Sequence, residues 1–138
     1  MIVKHLNEVV NTGHDVDTPT WNARRLLLRS DGMGFSLHDT LIKAGTETFI
    51  WYKNHLEAVY CVEGEGEIEV VDGQTYPIRP GTLYALDGHE KHWLRATKQM
   101  RMICVFNPPL TGREVHDDEG VYPLVLDENN KQLEEMNR

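Results

Sequence analysis

Apolar and polar residues alternate along most of this chain in short runs, and Gly, Asp-Gly and Pro-Gly breaks separate the runs. The stretch from Gly45 to His92 shows this most fully and reads as a β-meander in which every second side chain points into one cavity. Before it, MIVKHLN suggests a short opening strand running into a helical turn around Leu6 to Val10, and NTGHDVDTPT reads as a loop. In RRLLLR, residues 24–29, a period of two puts Arg24, Leu26 and Leu28 on one face; if the leucines mark the interior, Arg24 faces inward. The alternative is an arginine whose stem packs while its head reaches water. Ser30-Asp31-Gly32 is a turn, and FSLHDTLIKAG is a strand with Thr40 and Ile42 on one face and Leu37 and Leu41 on the other. TFIWY, EAVYCVEG, GEIEVVDGQTYPI, TLYAL, HWLRA and RMICVFNPP follow, and Asp72-Gly73 signals a two-residue hairpin.

About eight to ten short strands without a long helix argue for an all-β sandwich or small barrel. The alternation stops after Pro108-Pro109. The reading is one domain over 1–138, with a barrel core at about 20–109 and an irregular C-terminal lid or tail at 110–138. Val121, Tyr122, Leu124 and Leu126 can pin part of that tail down. Glu57, Val59 and Cys61 share one parity, as do Met102, Cys104 and Phe106, so each set can face one interior.

Composition narrows the function classes. A net charge of −8 without clustered Lys and Arg disfavours nucleic-acid and anionic-membrane surfaces. No apolar run approaches the roughly 20 residues of a membrane span, and the start lacks the apolar run of a secretory peptide, so a cytoplasmic protein is expected. Two widely separated cysteines, Cys61 and Cys104, fit free thiols in a reduced compartment.

Six residues separate Glu57 from Gly64 and ten separate Gly81 from His92, which resembles the two motifs of the cupin superfamily, whose jelly rolls hold a metal with three histidines and a glutamate. Both histidines of the first motif are missing here: Trp51 and Lys53, or Ile50 and Tyr52, stand at those positions. One carboxylate and one imidazole hold a divalent ion weakly, so either the metal is absent or another ligand is recruited. Tyr84, on the TLYAL strand, is the best recruit, although a strand tyrosine is more often a core aromatic and its phenol, with a pKa of about 10, needs a cation nearby.

Runs far outside those motifs, MIVKHLNEV, TWNARRLLL, GMGFS and GREVHDDEGVYP, resemble the ectoine synthase family. The resemblance implies a jelly-roll enzyme, a homodimer, that closes N4-acetyl-L-2,4-diaminobutyrate into the cyclic osmolyte ectoine with loss of water, using Fe(II), in the response to osmotic stress. It places the metal on Glu57, Tyr84 and His92. It places the substrate against Trp21, Arg24, Thr40, Tyr52, Cys104 and Phe106, with Glu114 and His116 beyond the last strand.

The residue types suit that chemistry. Ring closure needs a polarised amide carbonyl, a folded substrate, and groups to accept and return a proton. Arg24 would clamp the substrate carboxylate, Trp21 and Phe106 would wall the pocket, and Tyr52 and Glu114 would divide the acid and base roles, with His116 beside them. Cys104 is a substrate contact or a buried small hydrophobe. Glu114 and His116 can equally be an exposed polar loop, and His55 and His89 read as structural. A metal cupin of different chemistry, an isomerase or dioxygenase, and a non-catalytic small-molecule sensor are the alternative functions.

Overall fold

The computed structural model describes residues 1–122. Among them, eight antiparallel strands form one bent sheet: β1 (Asp15–Asp17), β2 (Trp21–Leu27), β3 (Ser36–Ile42), β4 (Glu47–Ile50), β5 (Leu56–Val70), β6 (Thr75–Ile78), β7 (Leu83–Leu86) and β8 (His92–Asn107). The order is β1-β2-β3-β8-β5-β6, with β4 added to β8 and β7 to β5. This is the all-β architecture expected from the alternation, in the jelly-roll form that the family resemblance implies, although the hydrogen-bonded path does not close into a complete barrel.

β5 and β8 are the spine. They pair along nearly their full lengths, and each changes its second partner half-way. The early part of β8 carries β4 and its later part carries β3, while β5 carries β7 near its start and β6 near its end. The bend comes from register shifts between Cys61 and Gly66. Gly64 sits there at φ +93°, and a Cβ on it would lie 2.1 Å from the Gln99 carbonyl oxygen, so only glycine fits this crossing. The motif glycine is therefore a bend residue. Inside the bend, Ala23, Ile42, Val59, Cys61, Ile68, Met100 and Met102 belong to one buried cluster.

Four local expectations change. Residues 1–5 form no strand, and only a 3-10 turn at Leu6–Glu8 follows. The NTGHDVDTPT segment contains β1, whose Asp15 and Asp17 lie opposite Arg24 and Asn22. Two expected strand pairs are continuous: EAVYCVEG and GEIEV form β5, and HWLRA and RMICVF form β8, because a bulged strand can bend without ending. The Asp72-Gly73 hairpin forms, but its loop holds three residues; the Val70 N–H donates to the Gln74 carbonyl at 3.0 Å, and positive φ falls on Asp72.

The segment after β8 returns across the sheet. Leu110, Val121 and Tyr122 are buried, and the Trp51 N–H donates to the Gly120 carbonyl at 2.8 Å. Gly120, at φ +74°, lies so close to Phe49 that a Cβ would come within 2.4 Å of its carbonyl oxygen. Leu124 and Leu126 lie outside the described residues.

Candidate active site

Residues paired across antiparallel strands share a face, so the cavity wall can be followed strand by strand. One row runs Ala23–Thr40–Met102–Cys61. The next runs Arg25–His38–Cys104–Val59–Tyr84, and a third runs Ser36–Phe106–Glu57–Leu86. Tyr52 enters from the β4–β5 loop, and His116 and Tyr122 enter from the returning segment. Of the expected residues, Trp21, Thr40, Tyr52, Glu57, Tyr84, Cys104, Phe106 and His116 line this cavity together.

Arg24 does not. Alternation along β2 buries Trp21, Ala23 and Arg25, and a bulge between Arg25 and Leu27 resets the parity before Leu28. Counting backwards from the leucines through that bulge therefore selects the outward-facing arginine. Arg24 lies on the outer face, where its Nη2 donates to Asp39 Oδ1 at 2.7 Å and its Nε to the Asp39 carbonyl at 2.8 Å. Arg101 holds the other oxygen of the same carboxylate at 2.6 Å.

Arg25 occupies the inner position and is 1% exposed. One Nη2 contact to the Glu114 carbonyl is made, but Nε and Nη1 have no partner. A buried guanidinium with two unused donors is an incomplete anion site. Its neighbour in the row, His38, is held down to about 3 by burial and by the charges of Arg25 and His55.

Glu114 is buried too, but its carboxylate is turned into its own loop. It accepts from the Thr111 N–H at 2.8 Å, the Thr111 hydroxyl at 2.7 Å, and the Gly112 and Arg113 N–H groups at 3.0 Å. So occupied, it shapes the returning segment, and the carbonyl of the residue is what meets Arg25. The partner of Tyr52 is instead His116: the phenol oxygen and Nε2 are 2.9 Å apart. Burial raises the Tyr52 phenol well above its ordinary value and lowers His116 to about 4, so both are neutral in the cavity. His89, expected to be structural, holds the backbone here, with Nδ1 donating to the Tyr52 carbonyl at 2.8 Å.

His92 is fully buried, with Nδ1 2.9 Å from the Glu90 carbonyl. A carbonyl only accepts, so Nδ1 carries the proton and Nε2 is left with a lone pair; Nε2 has no partner in the protein. Burial pushes Glu57 up to about 8, against a hydrogen bond from Cys104. Tyr84 is pushed well up by burial and by Glu57. Cys104 is likewise raised by burial, then by Glu57, which marks it as a neutral thiol rather than a thiolate nucleophile. His92 thus keeps an unpartnered imidazole nitrogen, while burial holds the Glu57 carboxyl and the Tyr84 phenol towards their protonated forms. Among the described residues no three His, Cys, Asp or Glu side chains form a metal cluster, so a cation here would need the tyrosine as its third donor.

The site contains two groups that the alternation alone did not reveal, Arg25 and Tyr122. Counting from Trp21 instead of from the leucines would have found Arg25. Tyr122 carried only an apolar-pair signal, beside Val121. Its ring stacks on Tyr52 at 4.9 Å and 17°, and the Arg25 guanidinium lies 5.9 Å from its centre.

With this geometry in hand, the chain can be set beside known proteins. A family model described as ectoine synthase matches residues 1–126. The L-ectoine synthase of Desulfatibacillum aliphaticivorans is 63% identical over 130 residues, covering 92% of this chain and 100% of that protein. The L-ectoine synthase of Halalkalibacterium halodurans is 62% identical, covering 93% and 100%. The crystal structure of ectoine synthase from P. lautus superposes with a TM-score of 0.84 at 75% identity, over 93% of this chain and 95% of that one. The EutQ protein of Clostridium difficile, at 20% identity and a TM-score of 0.57 over 71% of this chain and 66% of that one, shares the fold alone.

Proposed function

The chain belongs to the ectoine synthase family and is a lyase of ectoine biosynthesis, and from that premise we propose how its cavity closes the ring of N4-acetyl-L-2,4-diaminobutyrate. The reaction joins the α-amine to the acetamide carbon and expels the carbonyl oxygen as water. The observation that carries the proposal is Arg25, a buried cation whose Nε and Nη1 have no partner, in the cross-strand row that ends at Tyr84 and 5.9 Å from the centre of the Tyr122 ring that lines the cavity.

Arg25 binds the substrate carboxylate in place of Arg24. Trp21, Phe106 and Tyr122 enclose the flexible chain and bend it so that its own amine approaches the carbonyl, a step that contributes much of the rate in intramolecular reactions. Thr40 and Cys104 are neutral polar contacts on the floor. His116, kept neutral, takes a proton given up by the attacking amine. Tyr52, kept as the phenol, returns one to the departing oxygen. Glu114 fixes the segment that delivers His116.

Glu57, Tyr84 and His92 would hold Fe(II), and the free Nε2 of His92 with the two raised acids supports that donor set. When bound, the ion supplies Lewis-acid polarisation of the acetamide carbonyl. A cytoplasmic setting and a role in osmotic stress accompany this reading; no described helix is long and apolar enough to cross a membrane. We also propose a homodimer, supported by apolar side chains on the outer sheet face, where Tyr60 and Leu83 are paired neighbours and are 47% and 65% exposed.

Arg25→Ala tests the anchor. It raises KM on the order of 10- to 100-fold with iron content unchanged, as expected for losing a charge-assisted hydrogen-bond pair, and Arg25→Lys does not restore it. Arg24→Ala leaves KM within about twofold and lowers stability instead. A KM effect confined to Arg24→Ala would reverse the assignment.

A further inference from the structure

Tyr122 lines the cavity, and so far it has been given only the task of a wall. Its ring contacts the groups assigned to two different tasks. It stacks on Tyr52 at 4.9 Å and 17°, and it lies under the Arg25 guanidinium at 5.9 Å. The same ring is 4.4 Å from His116 and meets Phe106 edge-on at 5.6 Å. It is 4% exposed.

Tyr122 is also held from behind. The Asn54 side chain donates to its carbonyl at 3.1 Å, and the Asp117 N–H donates to the Val121 carbonyl at 2.9 Å. Asp117 Oδ1 accepts from the Val121 N–H at 3.1 Å. Gly120 allows the chain to press against Phe49 where any side chain would collide. The backbone around the ring is fixed by contacts that the ring itself does not make.

We propose that Tyr122 is a positioning residue whose aromatic face sets the separation between the carboxylate anchor, Arg25, and the proton-transferring group, Tyr52. The proposal rests on the roles given above to Arg25 and Tyr52. A guanidinium with two unused donors has few restraints of its own, and a ring quadrupole beneath it supplies an attractive one. Parallel stacking fixes the plane of the Tyr52 ring and so the direction of its hydroxyl. One side chain therefore ties the binding end of the substrate to its reacting end, and a displacement of it lowers both affinity and turnover.

The Tyr122 hydroxyl also interacts with Tyr52 and Arg25. The test therefore separates the ring face, to which the proposal assigns the function, from that hydroxyl, and a Tyr122→Phe chain as impaired as Tyr122→Leu would overturn the assignment. Tyr122→Phe retains KM and kcat within about threefold, whereas Tyr122→Leu raises KM and lowers kcat by about tenfold each with iron content unchanged. In an Arg25→Ala background Tyr122→Leu no longer raises KM, and in a Tyr52→Phe background it no longer lowers kcat, because coupled residues do not act independently. Fluorinated phenylalanines at position 122 preserve shape and folding while draining the ring face, so KM rises with each added fluorine at constant melting temperature. A flat fluorine series, or Tyr122→Leu effects that multiply in both backgrounds, would show a packing wall and overturn the proposal. Arg25→Ala with unchanged KM would overturn the anchor reading beneath it, a result distinct from either.

Discussion

Arg24 and Arg25 show what a single residue step decides in a sheet. Adjacent strand residues face opposite sides, so one arginine closes an outer ion cluster with Asp39 and Arg101 while the other is buried on the inner face with two unpartnered nitrogens. The sequence supports the family and most of the cavity, including the inward parity of Glu57, Cys104 and Phe106, because those residues lie on regular stretches. It does not show which arginine faces in, since the bulge after Arg25 depends on pairing with β3. Glu114 is hidden for a related reason: a carboxylate in an irregular loop has no periodicity, and only the folded loop brings it to accept from residues 111–113. The buried His38 leads to a pH prediction at this scale. Its folded value of about 3 lies below the ordinary 6.5, so between those values the unfolded chain binds a proton that the folded chain does not. Its contribution is complete above about pH 6.5 and is lost as pH falls towards 3, by up to about 1.4 kcal/mol per pH unit. Urea midpoints measured across that range should fall with acidification, and His38→Gln should flatten the slope; an unchanged slope would remove His38 from the balance.

At the level of elements, β5 and β8 do more than pair. Each is long enough to serve two neighbours, and the bend at Gly64 and Gly66 turns the two halves so that one inner face becomes a cavity. The sequence reads these strands as four because glycines and the polar run Thr97-Lys98-Gln99 look like breaks; only long-range pairing shows that the strands continue through them. The returning segment is the other functional element. It supplies the Glu114 carbonyl for Arg25, His116 for Tyr52, and the Tyr122 ring. A chain ended at Arg113 should therefore lose turnover. It should also lose roughly 3–5 kcal/mol of stability from the burial of Val121 and Tyr122, since large core side chains cost about that when removed. Activity assays with thermal melts check both, and an active truncated chain would show that the cavity is complete without the segment.

The whole molecule presents two faces with different chemistry. Inside, a buried guanidinium with unpartnered nitrogens lies near imidazoles and acids that burial holds towards their neutral forms. Outside, the β5–β7–β8 surface exposes Leu56, Tyr60 and Leu83 on a chain whose net charge of −8 otherwise favours separation. Burial of that face against a second copy predicts a mass near twice 15.9 kDa in sedimentation equilibrium, and Tyr60→Glu with Leu83→Glu should shift it to the monomer. A doubly substituted chain that stays dimeric would place the interface elsewhere. The central proposal, however, concerns the interior: Glu57, Tyr84 and His92 would hold one ferrous ion, without which the ring would not close. The direct measurement is NMR of N4-acetyl-L-2,4-diaminobutyrate incubated with protein stripped by chelator and then reloaded with Fe(II), with bound iron quantified in the wild type and in Glu57→Ala, Tyr84→Ala and His92→Ala. The account predicts ring formation only in the reloaded wild type, with one iron per chain, and loss of iron and activity together in each variant. Ring closure by the stripped protein at the reloaded rate, or a Tyr84→Ala protein that keeps its full iron, would contradict it.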